Sequence, residues 1–346
     1  MNTNSILKRD DQSDAKFDLI LLGRVCIDLN PTPEGYYKST ADVDTFNRYL
    51  GGSPANIAVG MARLGKKIGF IAKVSNDQFG TFVTNYFKNE GIDTTHVTRC
   101  KGEENLGLAI TEILSETESS IMMYRNGVAD LSLSPEDVDE DYVSSARALL
   151  ISGTALSASP SREAAFKAVA IARNQSIPVI FDIDYRPQNW KSKDEIAVYY
   201  SLMAGESDII LCSREEMSLT ESLCIPNNCD DEVSAKYWMD KNAKLIVIKH
   251  GKEGSNAFFK DGERYKVKPF PVKLLKSFGG GDGYASAFLT GLLDGEEPQK
   301  CLSLASACAA MLVASKSCSA DMPTFDALSE FEQRAVLEHG SMVEKF

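Results

Sequence analysis

The sequence predicts an α/β fold: a mainly parallel central sheet with helices on both faces, and a small β-sheet lid beside it. Short apolar runs alternate with amphipathic stretches along most of the chain, which is the rhythm of strand, crossover helix and parallel strand. Two stretches, 31–50 and 106–125, break that rhythm. They are rich in Thr, Ile and Tyr among alternating polar positions and lack helical periodicity.

In chain order, residues 1–16 read as a polar N-terminal tail and 17–346 as a single domain. The first strand is expected at 17–23. A helix follows over 53–64, with Ser53 as N-cap, Pro54 at the first helical position and Gly65 past its end. Further strands are expected at 68–72, 148–152, 179–182, 209–212 and 245–249, separated by helices such as 161–174 and 232–241. Beyond Gly283 the pattern turns mostly helical. The two irregular stretches read as antiparallel strands inserted over the carboxyl ends of the main strands, where ligands bind in open α/β sheets.

Composition excludes several functions. The chain has 346 residues, 49 acidic and 37 basic, for a formal charge of −12, which makes it a poor polyanion binder; nucleic acid is not an expected partner. A small anionic substrate would need local cations. The first sixteen residues contain no apolar signal region, and the longest apolar run, 301–314, is short and dotted with serine, so no membrane association is expected. Eight scattered cysteines fit reduced thiols and a cytoplasmic location. Cys224 and Cys229 have no second pair, and only His96, His250 and His339 could add to them, so zinc is not expected.

Gly60-Met-Ala-Arg-Leu-Gly65-Lys66-Lys67 comes close to a P-loop, but it closes a helix instead of opening one and ends without a hydroxyl. The informative tract is Gly279-Gly280-Gly281-Asp282-Gly283. Three glycines leading into a helix at Asp282 offer bare amides that can cradle an anion such as a phosphoryl group. Asp282 stands at the lip of that cradle, placed to take a proton from an attacking hydroxyl. A second constellation is Gly51-Gly52-Ser53-Pro54-Ala55-Asn56, where backbone can approach a ligand and Asn56 projects an amide. Asp28 adds an acceptor pair suited to sugar hydroxyls. Spacing alone leaves a second reading of each: a flexible loop with Asp282 as a cap, and turn chemistry at 51–56.

Together, Gly-Gly-x-x-x-Asn early and Gly-x-Gly-Asp late resemble the two signatures of the ribokinase-like (pfkB) carbohydrate kinases. The likeness runs from Phe17 to about Pro323 and includes Lys73-Val-Ser-Asn-Asp77-Gln-Phe-Gly80, Gly91-Ile-Asp93 and Gly251-Lys-Glu-Gly254. It implies a ribokinase-like fold, ATP-dependent phosphoryl transfer with Mg²⁺, and room for a monovalent cation such as K⁺. Within the family, Ser119-Ser-Ile-Met-Met-Tyr124-Arg125 and Asp182-Ile-Asp184-Tyr185-Arg186 resemble its sugar-acid kinases. The implied reaction is phosphorylation of the C6 hydroxyl of 5-dehydro-2-deoxy-D-gluconate, a step of myo-inositol breakdown. A 2-keto-3-deoxygluconate, fructose or ribose kinase stands as the alternative, and a non-catalytic sugar- or nucleotide-binding protein as a distant one.

On that resemblance Asp282 is the base and Gly279, Gly280 and Gly281 the anion cradle. Asp28, Gly52, Asn56, Tyr124, Arg125 and Arg186 bind the sugar acid, the two arginines because guanidinium forks pair with carboxylates. Ser213, Lys249, Gly251 and Gly254 fall to ATP, and Glu216 to Mg²⁺ through water. Pairing of two copies through the lid is implied as well. Three positions depart from the family pattern: Lys276 where an acid is common, Ser213 for an asparagine, and Lys249 for a threonine. The first of these puts the monovalent-cation arrangement in question.

Overall fold

Leu19–Leu22 is wholly apolar and buried on both faces, so it can only sit at the centre of a covered sheet. It is strand β1 of a computed structural model that describes residues 6–7, 15–115 and 118–346. The strands that follow are β2 (Cys26–Pro31), β3 (Phe46–Gly51), β4 (Ile68–Val74), β5 (Asp93–Arg99), β6 (Gly107–Ile113), β7 (Ser119–Tyr124) and β8 (Leu149–Ser152). After them come β9 (Val179–Asp182), β10 (Ile209–Ser213), β11 (Leu245–Lys249), β12 (Ser255–Phe259), β13 (Arg264–Val267) and β14 (Val343–Lys345).

The large sheet runs β14-β13-β12-β11-β10-β9-β8-β1-β4-β5. Its run from β11 to β5 is parallel, with Ile20 opposite Gly69 on one side and Leu149 on the other, whereas β12, β13 and β14 extend it antiparallel. Alternation along β1 divides the core: Leu19 and Leu21 pack into one apolar cluster, Ile20 and Leu22 into the other. Helices such as Ser161–Asn174 and Gly280–Asp294 cover the faces. Among the described residues no helix is long and apolar enough to cross a membrane.

The second sheet, β3-β2-β6-β7, corrects the expected lid in three respects. Its first strand begins at Cys26, so Asp28 belongs to the small sheet. Residues 32–45 are a loop with two short helical turns, and β2 pairs with β6 in parallel, while the outer pairs β2–β3 and β6–β7 are antiparallel. The wholly antiparallel expectation failed because each segment supplies its own hairpin-like pair, and the pairing of the two segments is a tertiary choice. Strands β5, β12, β13 and β14 were also not anticipated; β5 and β14 are the sheet's edges, and all four are short or broken by polar residues, so none shows the continuous apolar run of the central strands.

The helix Ser53–Arg63 begins with Ser53 already helical, Gly52 at φ 101° as N-cap, and no side-chain cap. Ser53 is thus not the cap that the sequence suggested. Gly65, at φ 87°, ends it as expected. Of the expected polar tail, 1–5 and 8–14 lie outside the described residues; Ile6 and Leu7 are buried against the core.

Candidate functional site

A cavity of about 710 Å³ lies where the carboxyl ends of β9, β10 and β11 face the second sheet, with Ala109, Thr111, Ile121 and Met123 as its roof. At one end the helix Gly280–Asp294 points its N-terminus inward. Gly279 is its N-cap, left-handed at φ 86°, with no side chain over the first amides. A Cβ on Gly279 would lie 2.6 Å from Cys318 Sγ, and one on Gly280 2.9 Å from Val313 Cγ1. The glycines therefore serve both chain geometry and close packing beneath the open amides.

The helix starts at Gly280 and not at Asp282, as the sequence suggested, so Asp282 is its third residue. Side chains lean toward a helix's N-terminus, and Asp282 does so here. Its Oδ1 accepts from Ser53 Oγ and its Oδ2 from Asn56 Nδ2, each at 2.7 Å. Freed from capping, the Ser53 hydroxyl also lies 3.1 Å from Asp182 Oδ2. One hydroxyl hydrogen cannot satisfy two carboxylates, so the trio needs a proton on one of them. Burial pushes Asp182 up to about 7, against the pull of Lys249. Asp282 is raised by burial and by the charge of Asp184, with Asn56 and Ser53 opposing. Asp182 is the candidate for that proton, which would let it donate to Ser53 while Ser53 donates to Asp282.

Lys249 faces the same cluster. Burial opposes its charge, but the carboxylates of Asp182, Glu216 and Asp282 outweigh burial and hold its pKa up. Its Nζ would lie 3.5 Å from a Cβ on Gly281, beside the cradle. Glu216 lines the cavity while its oxygens accept the amides of Tyr185 at 2.8 Å and Ser213 at 2.7 Å, and Ser213 caps the Glu216 amide in return. Gly251 and Gly254 form the turn between β11 and β12 on the same wall; a Cβ on Gly254 would fall 1.9 Å from Val267 O.

The other end is built of paired side chains. Asp28, on β2, is paired with Tyr49 on β3 and leans over the neighbouring Gly51, where a Cβ would overlap its carboxylate at 1.8 Å. Burial pushes Asp28 up to about 6, against Arg24. A Cβ on Gly52 would meet Arg24 O at 2.7 Å. Asn56 Oδ1 is buried with no hydrogen-bond partner, an acceptor waiting for a donor. Arg24 and Arg186 converge on Asp184 at 3.3 and 2.9 Å. Burial raises Asp184, but the two guanidiniums outweigh it and keep its pKa below the usual carboxylate range. Asp184 itself adopts φ 39°, an uncommon conformation for a residue other than glycine.

Of the residues singled out in the sequence, Asp28, Gly52, Asn56, Arg186, Ser213, Glu216, Lys249, Gly251, Gly254 and 279–282 all border this one cavity. Tyr124 and Arg125 do not. Ile121 and Met123 of β7 face the cavity, so Tyr124 shares the outer face with Met122 and is 54% exposed. Arg125 is buried behind the wall, 2.7 Å from Asp130 and 3.3 Å from Asn189 Oδ1. Arg24, Ser53 as a hydroxyl donor, Asp182 and Asp184 were missed. The alternation of Arg24, Cys26 and Asp28, and of Asp182 and Asp184, was the available signal. Among the described residues no cluster of three or more His, Cys, Asp or Glu is arranged to chelate a metal.

The sequence pattern of the pfkB family carbohydrate kinase matches residues 16–325. A 5-dehydro-2-deoxygluconokinase of Clostridium perfringens is 59% identical over 328 residues, covering 95% of this chain and 96% of that one. One from Geobacillus thermodenitrificans is 48% identical over 329 residues, with 95% and 96% covered. Among solved structures, a fructokinase of Xylella fastidiosa with bound ATP superposes with TM-score 0.78 at 22% identity, covering 92% of this chain and 98% of that one. A sugar kinase of Pyrococcus horikoshii in complex with ATP gives 0.76 at 25% identity, with 92% and 99% covered.

Proposed function

This chain belongs to the pfkB family of carbohydrate kinases, and from that premise we propose that it transfers the γ-phosphoryl group of ATP to the C6 hydroxyl of 5-dehydro-2-deoxy-D-gluconate. The observation that carries the reading is Asp282, oriented by Ser53 and Asn56 at the mouth of the glycine cradle. The sugar hydroxyl gives its proton to Asp282 as its oxygen bonds to the γ-phosphorus, and the bond to the β-bridging oxygen breaks to release ADP. Amides at Gly279 to Gly281 receive the charge on the transferring oxygens, and Lys249 adds a cation at their side.

The sugar acid lies toward the second sheet. Asp28 takes its hydroxyls, and the unpartnered Asn56 Oδ1 accepts from another. Arg24 and Arg186 meet its carboxylate, because they are the guanidiniums that border the cavity. Arg125 acts at one remove, since Asn189 Nδ2 donates to its carbonyl at 2.8 Å and joins the end of β7 to the loop that carries Arg186. Tyr124, on the outer face, belongs to the surface through which a second copy would pair. Mg²⁺ neutralises the β- and γ-phosphates when bound; the residues fit an ion held through water beside Glu216, with no protein cage.

Mg²⁺-dependent ADP release is the test, run with 5-dehydro-2-deoxygluconate, 2-keto-3-deoxygluconate, fructose, ribose and no sugar. Highest kcat/KM with the first acid is expected. Preference for a neutral sugar would discard the arginine assignment and keep the chemistry at Asp282. No sugar-dependent turnover would overturn the assignment of this substrate.

A further inference from the structure

Lys276 is one of the largest side chains fully removed from solvent in this protein, at 1% exposure. A lysine that deep is ordinarily paired with a carboxylate. Here it has no ion-pair partner among the described residues. Its Nζ instead donates to two backbone carbonyls, Leu312 O at 2.7 Å and Ser317 O at 3.1 Å, and lies 5.3 Å from the centre of the Phe278 ring. Burial lowers its pKa, with Cys318, Asp321, Asp282 and Asp28 pulling the other way. Carbonyl dipoles and a ring face offset the cost of burying an ammonium only in part. Packing does not account for the residue either, since an apolar side chain would fill the same space without that cost.

The surroundings say what the charge does. Nζ would lie 3.3 Å from a Cβ on Gly279, the left-handed residue that turns the chain into the cradle. The Lys276 amide also donates to Val313 O at 3.2 Å, and that of Leu275 at 2.9 Å, so backbone and side chain both bind this segment to the end of the helix Pro298–Val313. The loop that supplies Ser317 O is itself fastened to the second sheet: Asn30 Nδ2 donates to Lys316 O at 3.0 Å and Ser319 Oγ to Leu50 O at 2.6 Å. The ammonium is thus the junction of three parts, namely the cradle turn, the carbonyl loop and, through that loop, the sheet over the sugar end.

We infer that Lys276 is a built-in positioning cation, whose ammonium sits in a cage formed by the Leu312 and Ser317 carbonyls and the Phe278 ring and fixes the Gly279–Gly281 amides where the transferring phosphoryl group arrives. The inference rests on the kinase reading. Lys276 borders the cavity from beneath the cradle and acts through it. A small misplacement of such donors costs up to about 10²-fold in rate.

The test compares wild type with Lys276→Met, which keeps the length and drops the charge, and Lys276→Ala, which empties the cage. Both should lose about 10²-fold in kcat with little change in sugar KM. Ammonium or K⁺ chloride should restore much of the lost turnover to Lys276→Ala, because a free cation of that size can sit among the vacated carbonyls. Tetramethylammonium, too large to enter, should not, and wild type should be indifferent to all three. If a variant unfolds in plain buffer, ammonium-dependent recovery of its melting temperature reads the same cage. Wild-type-like kcat in Lys276→Met would overturn the inference, as would loss in Lys276→Ala that no small cation restores in turnover or in melting. Wild type runs beside the variants on the same sugar, so its own silence would speak against the substrate and leave the melting comparison to judge Lys276.

Discussion

The two ends of the cavity are made of different material. The end proposed for the phosphoryl group is mostly backbone: three glycines, a left-handed turn and helix amides, with Lys249 and Lys276 beside them. The end proposed for the sugar is almost all side chain, with two arginines on one aspartate, Asp28, and an asparagine whose buried oxygen has no hydrogen-bond partner. Backbone amides cannot be exchanged for other chemistry and need no rotamer to be held, so they suit a phosphoryl group that is the same in every turnover. Paired side chains can be varied one at a time, which suits the part of the site that decides among sugars. The comparison therefore predicts that changes at the first end fall on kcat and changes at the second on KM.

The largest effect is expected at the junction of the two. Asp282→Asn keeps the shape and the contact with Ser53 but removes the base, and should lower kcat by about 10²–10⁴-fold while ATP binding changes little. In wild type, burial raises Asp282 above the ordinary aspartate range. Since the base must be ionised, kcat/KM should fall as pH drops through that raised value, earlier than an exposed aspartate would dictate. Turnover of Asp282→Asn near the wild-type rate would remove the residue from its role.

At the sugar end, Arg186→Ala and Arg24→Ala should each raise KM for the sugar acid by the worth of a charge-assisted pair, about 2–5 kcal/mol, and leave kcat with less change. Arg186 is one-third exposed in its side chain and Arg24 3%, so Arg186 should fall at the lower edge of that range. Arg24→Ala also strips Asp184 of its buried partner, and melting curves will show whether its loss is one of fold. Arg125→Ala should destabilise the protein, because Asp130 would be left buried and alone, without a specific rise in KM. If Arg125→Ala raises KM while Arg24→Ala and Arg186→Ala do not, the carboxylate lies elsewhere than this comparison puts it.

The same difference in material decided what could be read from the sequence. A backbone site leaves a local trace, because a left-handed φ of 86° at position 279, close against Cys318, favours glycine, and three glycines in a row stand out in the sequence. The central strands were legible for a similar reason, as continuous apolar runs that announce burial on both faces. The ion-pair network left no such trace. Arg24 and Asp184 stand 160 residues apart and meet only because β1, β8 and β9 are neighbours in the sheet. Arg125 looked like a ligand because the Tyr124-Arg125 pair resembles that of the sugar-acid kinases and a guanidinium suits a carboxylate, yet its partner is Asp130, five residues away. The parallel pairing of β2 with β6, and the freeing of Ser53 by Gly52 at the helix start, were likewise set by tertiary contacts that no window of sequence contains.

The smallest expected effect tests the proton assigned to Asp182. If that carboxyl is neutral and donates to Ser53 Oγ, then Asp182→Asn replaces one donor with another, and kcat should stay within about twofold of wild type. Asp182→Ala removes the donor and lets the Ser53 hydroxyl turn away from Asp282, which should cost the worth of one neutral hydrogen bond, about five- to tenfold in rate. Lys249 argues the other way, since a cation beside Asp182 favours the ionised form. A carboxylate acting through its charge would make Asp182→Asn as damaging as Asp182→Ala, or worse. Equal rates for wild type and Asp182→Asn, with Asp182→Ala slower, would place the proton on Asp182 and leave Lys249 directed at the phosphoryl end. The reverse order would make Asp182 a charged partner of Lys249, and the boundary between the two ends of the cavity would then run through Ser53.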